Sequence, residues 1–223
     1  MNKLSKRLKV VADFIEDNSK VIDIGCDHGL LSIYLASIYK NIKIIASDVN
    51  KNALSSAINN IKNSRLERRI DTRLGNGLDV VSKEEIDTIV IAGMGANTIV
   101  GILKYSKEKL SNVNNIIIQS NTDLYFLRKN ITNMGYYIED EVLVEDKNII
   151  YTVIKFAKGR KKYSYKELYL GPILINKKDK IFKKKCDKEY NSLNMILKNI
   201  TKGHYLYRYK IRRNIRILKK ESR

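Results

Sequence analysis

One short stretch, residues 21–29, places glycines and carboxylates directly behind an apolar, β-branched run. The run is typical of a buried strand, and Gly25 and Gly29 permit a tight turn close to a ligand. A dinucleotide turn has three glycines spaced G-x-G-x-x-G, whose backbone amides hold an anionic pyrophosphate. This turn has two glycines, accompanied by Asp23 and Asp27. Because carboxylates repel pyrophosphate but suit an ammonium and a sulfonium, the turn predicts binding of S-adenosyl-L-methionine.

Polar residues also follow the other apolar runs of the chain. The runs lead into Asp48, Asn76, Gly93 and Gln119. Since ligands of an open parallel sheet lie at the carboxyl ends of its strands, we expect these residues to converge on one site. Asp48 can accept both ribose hydroxyls of an adenosine, and Asn76 can pair with the edge of an adenine ring. The alternatives are an ordinary turn with exposed carboxylates, a helix-capping Asp48 and a turn-forming Asn76.

Four residues are candidates for the reaction itself. Asp27 is predicted to stabilise developing positive charge, and His28 is a second candidate, either for proton removal or for orienting the turn. Gln119 and Asn121 are expected to hold a substrate base through amide hydrogen bonds. The loop at 92–95 has no Asn/Asp-Pro-Pro-aromatic sequence, which enzymes that methylate exocyclic amines usually carry there. A ring nitrogen with its own lone pair is therefore the expected target.

The predicted cofactor site needs no metal ion. The two cysteines of the chain, Cys26 and Cys186, lie far apart, and His28 has no second histidine near it in sequence. The residues predicted to contact the cofactor share a position at or beside a strand end: Asp23, Gly25, Asp27, His28, Gly29, Asp48, Val49, Asn76, Gly77, Ala92, Gly93, Met94 and Gly95.

The elements that must position these residues alternate strand and helix. Two strand-like runs, 136–145 and 149–156, then follow each other with only a hairpin-sized loop between them. Five βα units closed by an antiparallel pair are typical of class I methyltransferases, so we expect an α/β, Rossmann-like sheet with an antiparallel last strand. The five earlier strands are predicted at 21–25, 42–48, 70–74, 86–92 and 115–119, and the helices between and after them at 30–36, 51–63, about 97–110 and about 124–134.

The last third of the chain carries nearly all of the net charge of +19. Residues 155–223 contain 23 Lys and Arg against 5 Asp and Glu, whereas residues 1–154 contain 20 against 19. A general compositional bias would have charged both parts alike. The asymmetry indicates a polyanionic partner, nucleic acid before a membrane surface.

The charge boundary also suggests the domain organisation. Apolar periodicity over 177–200 and 205–220 predicts a two-helix hairpin, with a turn at the single proline, Pro172. We therefore expect a methyltransferase domain at 1–158 and a basic, RNA-binding helical domain at 159–223. No run of about 18 apolar residues and no secretory signal occurs, so a cytoplasmic protein without a membrane span is expected.

Five motifs resemble those of the bacterial TrmK-type tRNA (adenine(22)-N1)-methyltransferases. They are DIGCDHG at 23–29, ASDV at 46–49, GNGL at 75–78, IAGMG at 91–95 and QSN at 119–121. The resemblance extends from Leu4 to Pro172 and implies methylation of adenine N1 in tRNA, with a helical C-terminal part that binds tRNA. The family often has GDG and QPN where this chain has Asn76 and Ser120, so an acidic adenine contact and a proline are missing.

Two other classes of function stay open on the residues alone. One is a methyltransferase that acts on another RNA, a protein or a small molecule, and the basic last third argues against the last two. The other is a non-catalytic RNA-binding protein, against which the full set of strand-end residues argues. The sequence indicates no obligate protein partner.

Overall fold

The computed structural model describes residues 4–201 and 203–221. The chain divides into two compact units between Lys162 and Tyr163. The break between these units lies four residues beyond the predicted limit of the methyltransferase domain at 158. The assignment of cofactor chemistry to one part and tRNA binding to the other stays a prediction.

A single mixed sheet forms the centre of the first unit. Its strands are β1 (Lys20–Ile24), β2 (Lys43–Asp48), β3 (Ile70–Leu74), β4 (Thr88–Met94), β5 (Asn115–Ser120), β6 (Tyr136–Asp146) and β7 (Ile149–Lys158). Their order across the sheet is β3-β2-β1-β4-β5-β7-β6. The first five are parallel, and β7 runs antiparallel to both β5 and β6. The predicted class I methyltransferase sheet with a reversed last strand is confirmed.

The helices of this unit cover the sheet. They are α1 (Lys6–Asp13), α2 (Leu30–Ile38), α3 (Lys51–Asn63), α4 (Ala96–Tyr105) and α5 (Leu124–Asn133). The helix expected over 97–110 ends earlier, because Ser106 leaves the helical conformation and a 3-10 helix (Lys107–Asn112) follows. A helix therefore follows β1, β2, β4 and β5, whereas β3 leads into β4 through a loop.

The core lies on both faces of the parallel strands. Val21, Ile22, Ile89, Ile91 and Ile117 are completely buried, as strands covered by helices on two sides require. Burial of each such aliphatic side chain stabilises the fold by about 1.5–3 kcal/mol. The resulting rigid sheet fixes the strand ends from which the candidate site is built.

The second unit consists of helices. They are α6 (Tyr165–Leu170), α7 (Pro172–Lys177), α8 (Lys180–Asn199) and α9 (Tyr205–Glu221). The last two pack together, as the predicted hairpin requires. The prediction missed α6 and α7, although Ser164 and Glu167 form a capping box and Pro172 begins α7. No helix in the described part of the chain is long and apolar enough to cross a membrane.

Candidate active site

A sharp turn joins β1 to α2. Gly25, Asp27 and Gly29 have φ values of +73°, +51° and +69°, in the region that favours glycine. A Cβ at Gly25 would collide with the Met94 side chain, and a Cβ at Gly29 would lie 3.1 Å from that of Ala57. The positive φ values favour glycine at both positions, and the contact with Ala57 leaves little room for a side chain at Gly29, before any ligand is considered.

This turn borders a cavity of about 400 Å³ at the carboxyl ends of β1, β2 and β4. Ligands of open α/β sheets bind at this position, where the order of strands reverses. Eight predicted cofactor residues line it: Asp23, Gly25, Asp27, His28, Asp48, Ala92, Gly93 and Met94. The remaining lining residues are Arg7, Leu8, Cys26, Leu30 and Leu31.

Asp23 is the buried carboxylate of the cavity, with 3% of its surface exposed. The pKa of Asp23 is raised to about 6, mainly because the carboxylate is buried. The Ser32 hydroxyl, which donates to Oδ2 at 2.8 Å, lowers this pKa, and the negative charge of Asp48 raises it. No cation pairs with Asp23 among the described residues. A cationic ligand would therefore relieve an unfavourable buried charge.

Asp48 is held at the end of β2 by backbone amides. Its Oδ2 accepts the amide of Asp27 at 3.1 Å, and its Oδ1 accepts that of Asn50 at 2.8 Å. The N-cap of α3 is Asn50, whose Oδ1 accepts the amides of Asn52 and Ala53. Asp48 is therefore not the helix cap, and each of its oxygens keeps a lone pair for a ribose hydroxyl.

His28 lies at the exposed edge of the cavity. Its Nδ1 is 2.8 Å from the hydroxyl of Ser56 on α3, and its Nε2 is 3.7 Å from Oδ2 of Asp27. The side-chain amide of Asn60 donates through Nδ2 to the backbone oxygen of His28 at 2.9 Å. These contacts tie the turn to α3, which supports an orienting role for His28.

Five predicted cofactor residues lie outside this lining. Asn76 and Gly77 line a separate cavity of about 300 Å³ beside α4, together with Ile102 and Tyr105. Val49 is 72% exposed, and Gly29 and Gly95 precede the first residues of α2 and α4. The expected convergence of all strand ends on one cavity is therefore incomplete.

Gln119 and Asn121 form a hydrogen-bonded pair at the end of β5. Gln119 is completely buried, and its Nε2 donates to Oδ1 of Asn121 at 2.9 Å. Asn121 Nδ2 donates to the backbone oxygen of Gly93 at 2.7 Å, at a bulge between β4 and β5. Gln119 Oε1 accepts from Nη1 of Arg7. Only Asn121 of this pair is exposed to a ligand, contrary to the expectation that both hold a base.

Comparison with known families identifies the kind of protein. The family model described as TrmK, tRNA (adenine(22)-N(1))-methyltransferase, matches residues 21–220. The chain belongs to this family. A tRNA (adenine(22)-N(1))-methyltransferase of Bacillus subtilis is 33% identical over 207 residues, which cover 90% of this chain and 87% of that protein.

Solved structures of similar proteins contain ligands of the predicted kind. A Streptococcus pneumoniae protein in complex with S-adenosyl-L-methionine is 30% identical, with a TM-score of 0.91 over 99% of this chain and 100% of the other. M. capricolum TrmK in complex with S-adenosyl-homocysteine is also 30% identical, with a TM-score of 0.86 over 97% and 96% of the two chains. The buried carboxylate of Asp23 in this cavity suits the ammonium group that both ligands carry.

Five lining residues of this TrmK-family chain were not selected from the sequence, and two of them, Arg7 and Cys26, have ionisable side chains. Arg7 lies in the first turn of α1, where the helix dipole disfavours a cation, but Lys6 shares that turn, so the local sequence did not single out Arg7. Cys26 is buried, and burial together with the charges of Asp23 and Asp48 raises the pKa of its thiol. Cys26 therefore serves as a neutral apolar wall of the cavity.

Proposed function

We propose that this chain transfers the methyl group of S-adenosyl-L-methionine to N1 of adenosine 22 in tRNA. The observation that carries the proposal is the acidic cavity at the strand ends of a TrmK-family chain, in which Asp23 is buried and pairs with no cation of the described residues. The names of the B. subtilis relative and of the family supply the substrate and the position of the methyl group.

The cavity residues divide the binding of the cofactor between them. Asp23 is proposed to pair with its ammonium, and Asp48 to accept the ribose hydroxyls. Ala92, Gly93 and Met94 form an uncharged wall. When bound, the cofactor supplies an electrophilic methyl group on a sulfonium.

The reaction needs little acid–base chemistry from the protein. Adenine N1 has an in-plane lone pair, so no proton has to leave before it attacks, and the residues mainly position the reactants. The base becomes cationic as the new bond forms, and Asp27, at the cavity edge, is proposed to stabilise that charge. Proton removal by His28 after the transfer stays a prediction. N1 lies on the pairing edge, so the adenosine must be unpaired or flipped out.

The second unit offers a surface suited to tRNA. Tyr205, Tyr207 and Tyr209 are all exposed at the start of α9, so they are not the hairpin core and can stack on bases. Two basic residues have internal roles: Arg208 donates to the Ile200 carbonyl at 2.8 Å, and Arg213 stacks on Tyr165. The exposed residues proposed to contact phosphates include Lys183, Lys210, Arg212 and Arg216.

Nucleoside analysis of two matched tRNA transcripts tests the proposed function. We expect the purified protein with S-adenosyl-L-methionine to produce 1-methyladenosine in an unmodified tRNA that has A22. The same tRNA with G22 should receive no methyl group. Methylation of both transcripts would contradict the position, and methylation of protein rather than tRNA would contradict the substrate class.

A further inference from the structure

A groove of about 800 Å³ lies beside the cofactor cavity and is bounded by α1, α2 and α3. One face of α2 forms its floor, through Leu30, Ile33, Tyr34 and Ser37 at i, i+3, i+4 and i+7. Leu30 also lines the cofactor cavity, so the two spaces share a wall. We call this space the helix groove, and its volume is in the range of natural ligand sites, about 300–1,000 Å³.

The floor of the helix groove is apolar. Ile33 is buried, and Leu30 and Tyr34 are half-buried. Seven of the nine residues of α2 are apolar, a composition typical of a helix that other elements cover on all sides. Residues of α1 and α3 instead line the sides of the groove and leave this face of α2 open to a ligand. An apolar floor that contains an aromatic ring is suited to the flat face of a nucleobase.

Three polar groups of the helix groove have no partner in the part of the chain that the structure describes. They are the hydroxyl of Tyr34, the side-chain amide of Asn63 and Oδ1 of Asn60. The hydroxyls of Ser37 and Ser64 differ, because they donate to the backbone oxygens of Tyr34 and Asn60 at 2.7 and 2.8 Å. An amide offers both a donor and an acceptor, which matches the edge of an unpaired base.

The helix groove carries positive charge. Lys9 is exposed at one side of it, and its lining within the described residues contains no carboxylate. Lys62 and Arg65 are exposed and adjoin the lining residues Asn63 and Ser64 in sequence. None of these three cations forms an ion pair with a described residue. Cations around an apolar, aromatic floor favour a nucleotide over a neutral apolar segment as the occupant.

We propose that the helix groove binds one unpaired nucleotide of the tRNA, distinct from the adenosine that receives the methyl group. Its base stacks against Tyr34, its edge pairs with the amide of Asn63, and its phosphate lies near Lys9. The inference rests on the proposed function for tRNA as the substrate. Because the groove and the cofactor cavity share Leu30, a nucleotide held in the groove fixes the RNA relative to the methyl group.

The helix groove is also connected to the turn after β1. Asn60 lines the groove, and its Nδ2 donates to the backbone oxygen of His28 at 2.9 Å. Tyr34, Asn63 and Lys9 themselves lie away from the reacting atoms. They therefore determine specificity and are not catalytic residues, and their loss should raise the KM for tRNA without changing kcat.

Binding of unmodified tRNA to the full-length protein tests this site. In the presence of S-adenosyl-homocysteine, Tyr34→Leu should weaken tRNA binding about 5- to 100-fold, the range expected for loss of one base–aromatic stack. Asn63→Ala should weaken it about 2- to 10-fold, as for a lost hydrogen bond. The affinity for S-adenosyl-homocysteine should stay within about twofold for both variants.

Two control variants lie on the same helices outside the helix groove. Asn59→Ala on α3 and Lys6→Met on α1 change exposed residues that do not line it. Asn59→Ala should leave the tRNA affinity unchanged, whereas Asn63→Ala lowers it. Lys9→Met should weaken tRNA binding more than Lys6→Met, although both remove one charge from α1. Equal losses from the two lysine variants would overturn the phosphate contact.

A photoreactive side chain identifies the nucleotide. With p-benzoylphenylalanine at position 34, ultraviolet light should crosslink the protein to one nucleotide of the tRNA, which primer extension locates. The same group at position 58, exposed on α3 outside the groove, should give no crosslink at that nucleotide. A tRNA made abasic there should bind the original protein more weakly, and Tyr34→Leu should add little further loss. Fully additive losses, or a crosslink to the methylated adenosine itself, would overturn the proposal.

Two further outcomes contradict the site. Unchanged tRNA affinity in both Tyr34→Leu and Asn63→Ala would overturn it and leave the groove to a ligand of another class. Parallel weakening of tRNA and S-adenosyl-homocysteine would overturn it as well, because it would indicate a displaced turn after β1. These binding measurements need no methyl transfer. A failure of the proposed function would appear separately, as absence of 1-methyladenosine from the A22 transcript treated with the original protein.

Discussion

At the scale of single residues, the site opposes the stability of the fold. Asp23 is buried beside Asp48, and within residues 4–201 and 203–221 the Ser32 hydroxyl is the one group that donates a hydrogen bond to its carboxylate. The pKa of Asp23 is raised from 3.8 to about 6, so the folded chain binds the carboxyl proton more tightly than the unfolded chain does. The contribution of protonated Asp23 to the free energy of unfolding is therefore complete below pH 3.8 and is lost as the pH rises through about 6. At neutral pH the charged group is a cost that a cationic ligand would offset.

Asp23→Asn should therefore stabilise the free protein and weaken cofactor binding. Asparagine keeps an acceptor for Ser32 but does not ionise, so we expect a gain of up to about 3 kcal/mol in the free energy of unfolding at pH 7.5. The gain should shrink towards zero near pH 4. Urea unfolding at both pH values and calorimetry with S-adenosyl-homocysteine check the two effects, and a pH-independent difference in stability would contradict the first.

At the scale of secondary structure, the first residues after β2 have separate tasks. Asp48 anchors the β1 turn through the amide of Asp27, and Asn50 caps α3 through the amides of Asn52 and Ala53. This division leaves Asp48 available to a ligand. It also places α3 so that Ser56 reaches His28.

Asn50→Ala should lower the free energy of unfolding by about 1 kcal/mol, because two amides of the first turn lose their acceptor. The matched control is Asn52→Ala, an exposed position in the same turn with no capping bond from its side chain, which should change stability little. Thermal and urea unfolding compare the two variants. Equal effects of both substitutions would argue against the capping role.

At the scale of the whole molecule, the excess positive charge and the candidate cofactor cavity lie in different parts of the chain. The first 154 residues are almost balanced, and residues 155–223 hold the excess. Arg212, Arg216 and Lys219 are exposed on α9 at i, i+4 and i+7, so they share one face of the helix. Such a row of cations is suited to a phosphate backbone.

Replacing Arg212, Arg216 and Lys219 by alanine should weaken tRNA binding and flatten its dependence on salt. We expect the slope of log K against log salt to fall by about 2, since each lost phosphate contact contributes roughly 0.7–0.9. The affinity for S-adenosyl-homocysteine should not change. The control removes the same charge from Lys20, Lys40 and Lys43, exposed at or near the amino ends of β1 and β2. An equal loss in both triple variants would show that total charge, rather than α9, governs binding.

Local sequence by itself determined the strands, the glycine turn, the carboxylates at two strand ends and the segregation of charge. These features depend on hydrophobic periodicity and on residues close together in the chain, such as Asp23 and Gly25. The short helices α6 and α7 also had local signals in Ser164 and Pro172, which were missed.

Only the tertiary structure decided which polar side chains share the cavity. It brings Arg7 to Gln119 across 112 positions of sequence, buries Gln119 and turns Asn76 towards a second cavity. The position of a residue in the sequence predicts that it lies at the end of a particular strand. The direction of its side chain depends on the packing of elements far apart in sequence, which no local pattern contains.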